Sequence, residues 1–76
     1  MYVKVTYFNK MANGFTGAAY TYNTDLPLQV GDEVLCPVSN DKELKRAMVV
    51  MTDVPEKAID PSWAYKIKDI KEYYKG

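Results

Sequence analysis

Tyr2-Val3-Lys4-Val5-Thr6-Tyr7-Phe8 is dense in β-branched and aromatic residues, and Val3, Val5 and Tyr7 alternate onto one face. That pattern predicts a half-buried strand at the start of the chain. Working outward, Asn13-Gly14 supplies the dipeptide that most readily takes the left-handed conformation of a hairpin turn. A second strand is expected over Ala18-Ala19-Tyr20-Thr21-Tyr22, with Ala18, Tyr20 and Tyr22 on one side. The connecting loop, residues 9–16, carries Met11 and Phe15, which either tuck over the barrel end or project as contacts.

Val30-Gly31-Asp32 reads as a tight turn and Glu33-Val34-Leu35-Cys36-Pro37-Val38 as the third strand. Pro37 lacks a backbone N–H, so it belongs at an edge or near the strand's end. Leu44 to Thr52 is the most continuously apolar run, and its centre is expected to be buried on both faces or capped. Leu44, Met48 and Met51 have helical spacing, but Val49-Val50 and the preceding turn favour a strand. Residues 53–62 contain Pro55 and Pro61 and read as a loop. Trp63 to Lys68 alternates as a fifth strand, and Ile70 and Tyr74, four apart, suggest a C-terminal helical turn. The expected fold is therefore mainly all-β: one domain over 1–76, a small five-stranded SH3/OB-like barrel.

Composition narrows function. Seventy-six residues allow one core, and no apolar run reaches the length of a membrane span. The amino terminus reads as a strand rather than a signal peptide, so a cytoplasmic location is expected. The single cysteine, Cys36, reads as a buried small hydrophobe in a reducing compartment. Histidine is absent, which removes Ser-His and Cys-His nucleophile pairs and the commonest metal ligand. Carboxylates such as Asp32-Glu33, or Asp41 with Glu43, sit in turns without a partner that would tune them. No catalytic activity, metal or cofactor is expected.

Seven tyrosines among ten aromatic residues exceed what so small a core needs. Tyrosine combines a flat apolar face with a hydroxyl, which suits a surface that must be both adhesive and wet. Such rings also stack on nucleobases. Net charge is zero, so any basic surface must come from placement: residues 1–24 hold Lys4 and Lys10 with no acid, and 66–75 hold four lysines against Asp69 and Glu72.

Tyr20-Thr21-Tyr22, then Leu28 to Pro37, then Met48-Val49-Val50, then Tyr65 to Ile70 form an ordered series of motifs. In that series the chain resembles the amino-terminal domain of the bacterial primosomal replication-restart helicase, over roughly residues 18 to 70. The resemblance implies a small β-barrel that grips the 3′-terminal nucleotide of a DNA strand. By position Tyr20 matches that family's stacking aromatic and Lys66 the lysine of its last strand. Thr21 stands where the family has an acid, and Ser39 about where it has a glycine. Threonine accepts a hydrogen bond more weakly than a carboxylate, and serine adds a side chain where a base approaches. The candidate binding set is Tyr20, Thr21, Tyr22, Ser39, Lys45, Arg46, Lys66 and Lys68. Three partners fit it: a single-stranded DNA end or nucleotide, a bacterial protein bound by a phage-type interaction module, or further copies of the chain. The last would bury Met11, Phe15 or Tyr73-Tyr74 between copies.

Overall fold

The structure is a computed structural model in which residues 1–38 and 43–76 are described. Among the described residues seven strands form one sheet: β1 (Tyr2–Asn9), β2 (Gly14–Phe15), β3 (Tyr20–Thr24), β4 (Glu33–Val38), β5 (Glu43–Met51), β6 (Asp69–Ile70) and β7 (Glu72–Tyr73). A 3₁₀ turn spans Glu56–Ala58 and one short helix, α1, spans Pro61–Ala64. The strands run in the order β6-β3-β1-β5-β4-β7, with β2 folded back on the end of β1.

β1 is the centre of the sheet. It pairs antiparallel with β3, placing Val3 opposite Tyr22, and with β5, placing Val5 opposite Val49. Asn13, at φ 52°, takes the left-handed turn expected before Gly14. The Asn9 side chain accepts from the Met11 and Ala12 amides and shapes the same turn. Gly31 reverses the chain into β4 at φ 99°, a conformation that disfavours any side chain. The sequence places β4 at its observed bounds, and places β3 two residues too early.

Strand alternation builds the core. Val3, Val5, Tyr22, Val34, Cys36, Ala47 and Val49 turn inward, joined by Leu28 and Ile70. Cys36 is buried as expected, and burial pushes its thiol up to about 12. The run 44–52 is not buried on both faces. Only Ala47 and Val49 are core, because alternation turns Met48 and Val50 outward. The register between β1 and β5 slips at Lys4/Val5, leaving Val50 without an opposite residue, and past this bulge Met51, which alternation would turn inward, is exposed.

The C-terminal third differs most from expectation. Residues 63–68 are not a strand: Asp60 caps α1 by accepting from the Ser62 N–H at 2.9 Å, and Pro61 occupies the first helical turn. The tail is not helical either. Asn23 and Thr24 pair in parallel with Asp69 and Ile70, while Val34 and Leu35 pair antiparallel with Tyr73 and Glu72. One five-residue stretch, 69–73, thus bridges the two free edges, β3 and β4, and nearly closes the barrel. Thr24 fastens this closure: its buried hydroxyl donates to the Ile70 carbonyl at 2.9 Å and accepts from the Leu26 amide. The mainly-β barrel stands, as a nearly closed six-strand sheet whose closing strands, β6 and β7, lie beyond residue 68.

Candidate functional site

β3 begins at the mouth of the barrel, where alternation can no longer bury every inward-pointing side chain. Tyr22 is one turn of the pleat inside and is buried; Tyr20, two residues earlier, is 47% exposed. The Tyr20 ring stacks on Tyr7 with centroids 4.9 Å apart and planes 25° apart. The Tyr7 and Tyr22 hydroxyls lie 2.6 Å apart, and the Tyr22 hydroxyl donates to the Pro37 carbonyl at 3.0 Å. Since Tyr22 has one proton and gives it to Pro37, Tyr7 donates to Tyr22. Burial pushes both hydroxyls above the ordinary tyrosine range, so both remain protonated at neutral pH. Tyr22 is therefore not a stacking surface. It is the buried post against which the Tyr7–Tyr20 pair is set.

This post gives a first expected result. Tyr22→Phe keeps the ring but leaves the Pro37 carbonyl and the Tyr7 hydroxyl without their shared partner. A loss of about 1–3 kcal/mol in unfolding free energy is expected, measured by urea denaturation. A change near zero would mean the network adds nothing.

Beside Tyr20 lies a hollow of about 450 Å³ whose lining includes Lys4, Thr21, Trp63, Lys66 and Lys68. Topology assembles it. Thr21 faces Lys4 across β1–β3, and the Asn23 amide donates to the Lys68 carbonyl at 3.0 Å, tying 66–68 to β3. α1 then carries Trp63 to the same place, 60% exposed. Neither the 3₁₀ turn nor α1 buries a residue, so this wall is held by few apolar contacts. Among the described residues, Asp60 is the one carboxylate lining the hollow, against three lysines. Its hydrogen bonds from the Ser62 backbone and hydroxyl hold it below the usual carboxylate range, so it stays ionised. Lys66 Nζ lies 4.8 Å from the Trp63 ring centroid, within cation–π range.

The candidate residues separate into three groups. Tyr20, Thr21, Tyr22, Lys66 and Lys68 line the one hollow, though Lys66 sits in the turn after α1 rather than on a strand. Lys45 stands behind the stack, its Nζ 5.4 Å from the Tyr7 centroid. Arg46 is elsewhere, since consecutive strand residues face opposite sides. Its guanidinium lies 4.4 Å from both the Phe8 and Tyr74 centroids, and its Nε binds Glu33 at 2.6 Å. Arg46 is thus occupied in fixing the tail to the outer sheet face. Ser39 lies outside the described residues.

The seven tyrosines do not form one face. Tyr7, Tyr20 and Tyr22 cluster at the mouth, Tyr74 joins Phe8 and Arg46, and Tyr65 projects beside Lys66. Phe15 packs edge-on against Phe8, while Met11 projects, 98% exposed. Lys4, Tyr7 and Trp63 were not singled out as binding residues by sequence. For Trp63 a signal existed, in the helix-starting series Asp60-Pro61-Ser62. Among the described residues no three acids or cysteines gather as a metal site, and no helix is long and apolar enough to cross a membrane.

No protein-family model matches the chain, and neither curated proteins nor solved structures give a significant match.

Proposed function

We propose that this domain is a binding module for a single-stranded nucleic-acid end or nucleotide, held in the hollow beside Tyr20. The supporting observation is the convergence of two exposed rings, Tyr20 and Trp63, with Lys4, Lys66 and Lys68 around one concavity of about 450 Å³. That volume lies within the roughly 300–1,000 Å³ of small-ligand sites. Exposed rings offer stacking surfaces and lysines offer phosphate contacts, the two components of single-strand binding. The resemblance to the replication-restart helicase domain adds weight, because its two matching positions, Tyr20 and Lys66, share the hollow. A protein-binding patch would instead be flat and nearly uncharged. No catalytic step is assigned: histidine is absent and the Cys36 thiol is buried and protonated.

Trp63 is the only tryptophan, so its fluorescence reports on the hollow directly. Short 3′-ended single strands are expected to quench it at low salt. With three lysines engaged, log affinity falls with log salt at a slope of about −2, roughly 20-fold between 50 and 200 mM. Absence of binding at low salt would overturn the proposal. Capture of a bacterial protein without nucleic acid would favour the interaction module, and a concentration-dependent oligomer the structural one.

A further inference from the structure

A second concavity, about 950 Å³, adjoins the first along the segment Lys66-Ile67-Lys68, which lines both. Its lining includes Leu35, Pro37, Leu44 and Tyr65, and the Tyr65 ring is 79% exposed. Trp63 lines the first concavity and Tyr65 the second. Lys66 Nζ lies 4.8 Å from the Trp63 centroid and 5.5 Å from the Tyr65 centroid. The order ring, cation, ring therefore straddles the boundary between the two concavities. A single strand has the matching order, base, phosphate, base.

We propose that the unit bound is a dinucleotide step, with one base against Trp63, the next against Tyr65, and their shared phosphate on Lys66 Nζ. The inference rests on the nucleic-acid reading of the first hollow and extends it to a second base site. Asp69 and Glu72 line the larger concavity together with Lys66, Lys68 and Lys71, so charges of both signs are present there. The base is assigned to the apolar and aromatic part of the wall, where Tyr65, Leu35, Pro37 and Leu44 stand.

Calorimetric titration of the full chain with dTMP and with the dinucleoside monophosphate d(TpT) tests this. Both ligands carry one phosphorus centre, so a gain for d(TpT) does not come from an added phosphate. The expected result is about tenfold tighter binding of d(TpT), the scale of one stacked base. Tyr65→Ala is expected to erase that gain and leave dTMP affinity unchanged; the ring's exposure makes a folding defect an unsuitable explanation, and circular dichroism checks it. Equal affinity for the two ligands, or equal weakening of both by Tyr65→Ala, overturns the dinucleotide step while leaving the first hollow as a nucleotide site. If neither ligand binds and short oligonucleotides also fail, the nucleic-acid reading itself falls, and this inference with it.

Discussion

Replacing Ile70 with alanine is expected to lower the unfolding free energy by about 2–5 kcal/mol, the range for large-to-small changes in a packed core. A domain of this length has roughly 4–11 kcal/mol in total, so the variant should be partly unfolded at moderate temperature. The reason lies in closure as much as in volume. Ile70 is 1% exposed, yet it belongs to a strand of two residues. Its backbone pairs with Thr24, whose hydroxyl takes the Ile70 carbonyl. Without the buried side chain, little apolar area remains to hold 69–73 across the gap between β3 and β4. Urea denaturation followed by circular dichroism measures the loss, with exposed Tyr65→Ala as a control expected to change stability by less than about 0.5 kcal/mol. A loss for Ile70→Ala below about 1 kcal/mol would contradict a barrel closed by this segment.

The same segment marks where sequence stops being legible. β1, β4 and β5 could be read because each is long enough to show alternation or is bounded by a clear turn such as Val30-Gly31-Asp32. β6 and β7 have two residues each, too few for any period to appear. The four-residue spacing of Ile70 and Tyr74 fits one turn of helix, but four is also even and so equally fits a strand. In 63–68 a visible period misleads. Trp63, Tyr65 and Ile67 alternate like a strand, whereas the capping chemistry of Asp60-Pro61-Ser62 locally fixes a helix.

The candidate site divides along similar lines. Tyr20, Thr21, Lys66 and Lys68 converge because β3 pairs with the chain just after Lys68, a long-range fact that composition does not reveal. Tyr22 and Arg46 change meaning through their immediate neighbours. The alternation that exposes Tyr20 would expose Tyr22 too, were it not one pleat deeper; and Arg46 is claimed by Glu33 and two rings brought from opposite ends of the chain. A zero net charge conceals the local imbalance around the hollow, three lysines to one acid among the described residues.

On the proposed nucleic-acid reading, that small imbalance gives charge a modest share of binding and stacking a larger one, which makes Trp63→Ala the most informative binding variant. It is expected to weaken short single strands by about 1–3 kcal/mol, roughly 5- to 150-fold. Stability should hardly change, because Trp63 is 60% exposed and α1 buries no residue. Trp63→Phe keeps a stacking face and should recover most of the affinity. Lys66→Ala removes the cation that sits against the same ring, and should weaken binding while flattening the salt dependence by about 0.7 in slope. The two variants therefore separate stacking from charge: one shifts affinity at every salt concentration alike, the other mainly at low salt. Calorimetry is the appropriate measurement, since the substitution removes the fluorophore. Full affinity in Trp63→Ala would exclude α1 from the site and leave Tyr20, at the mouth of the barrel, as the stacking ring of the first hollow. A uniform loss restored by phenylalanine would instead establish that this weakly packed wall works through the ring it presents.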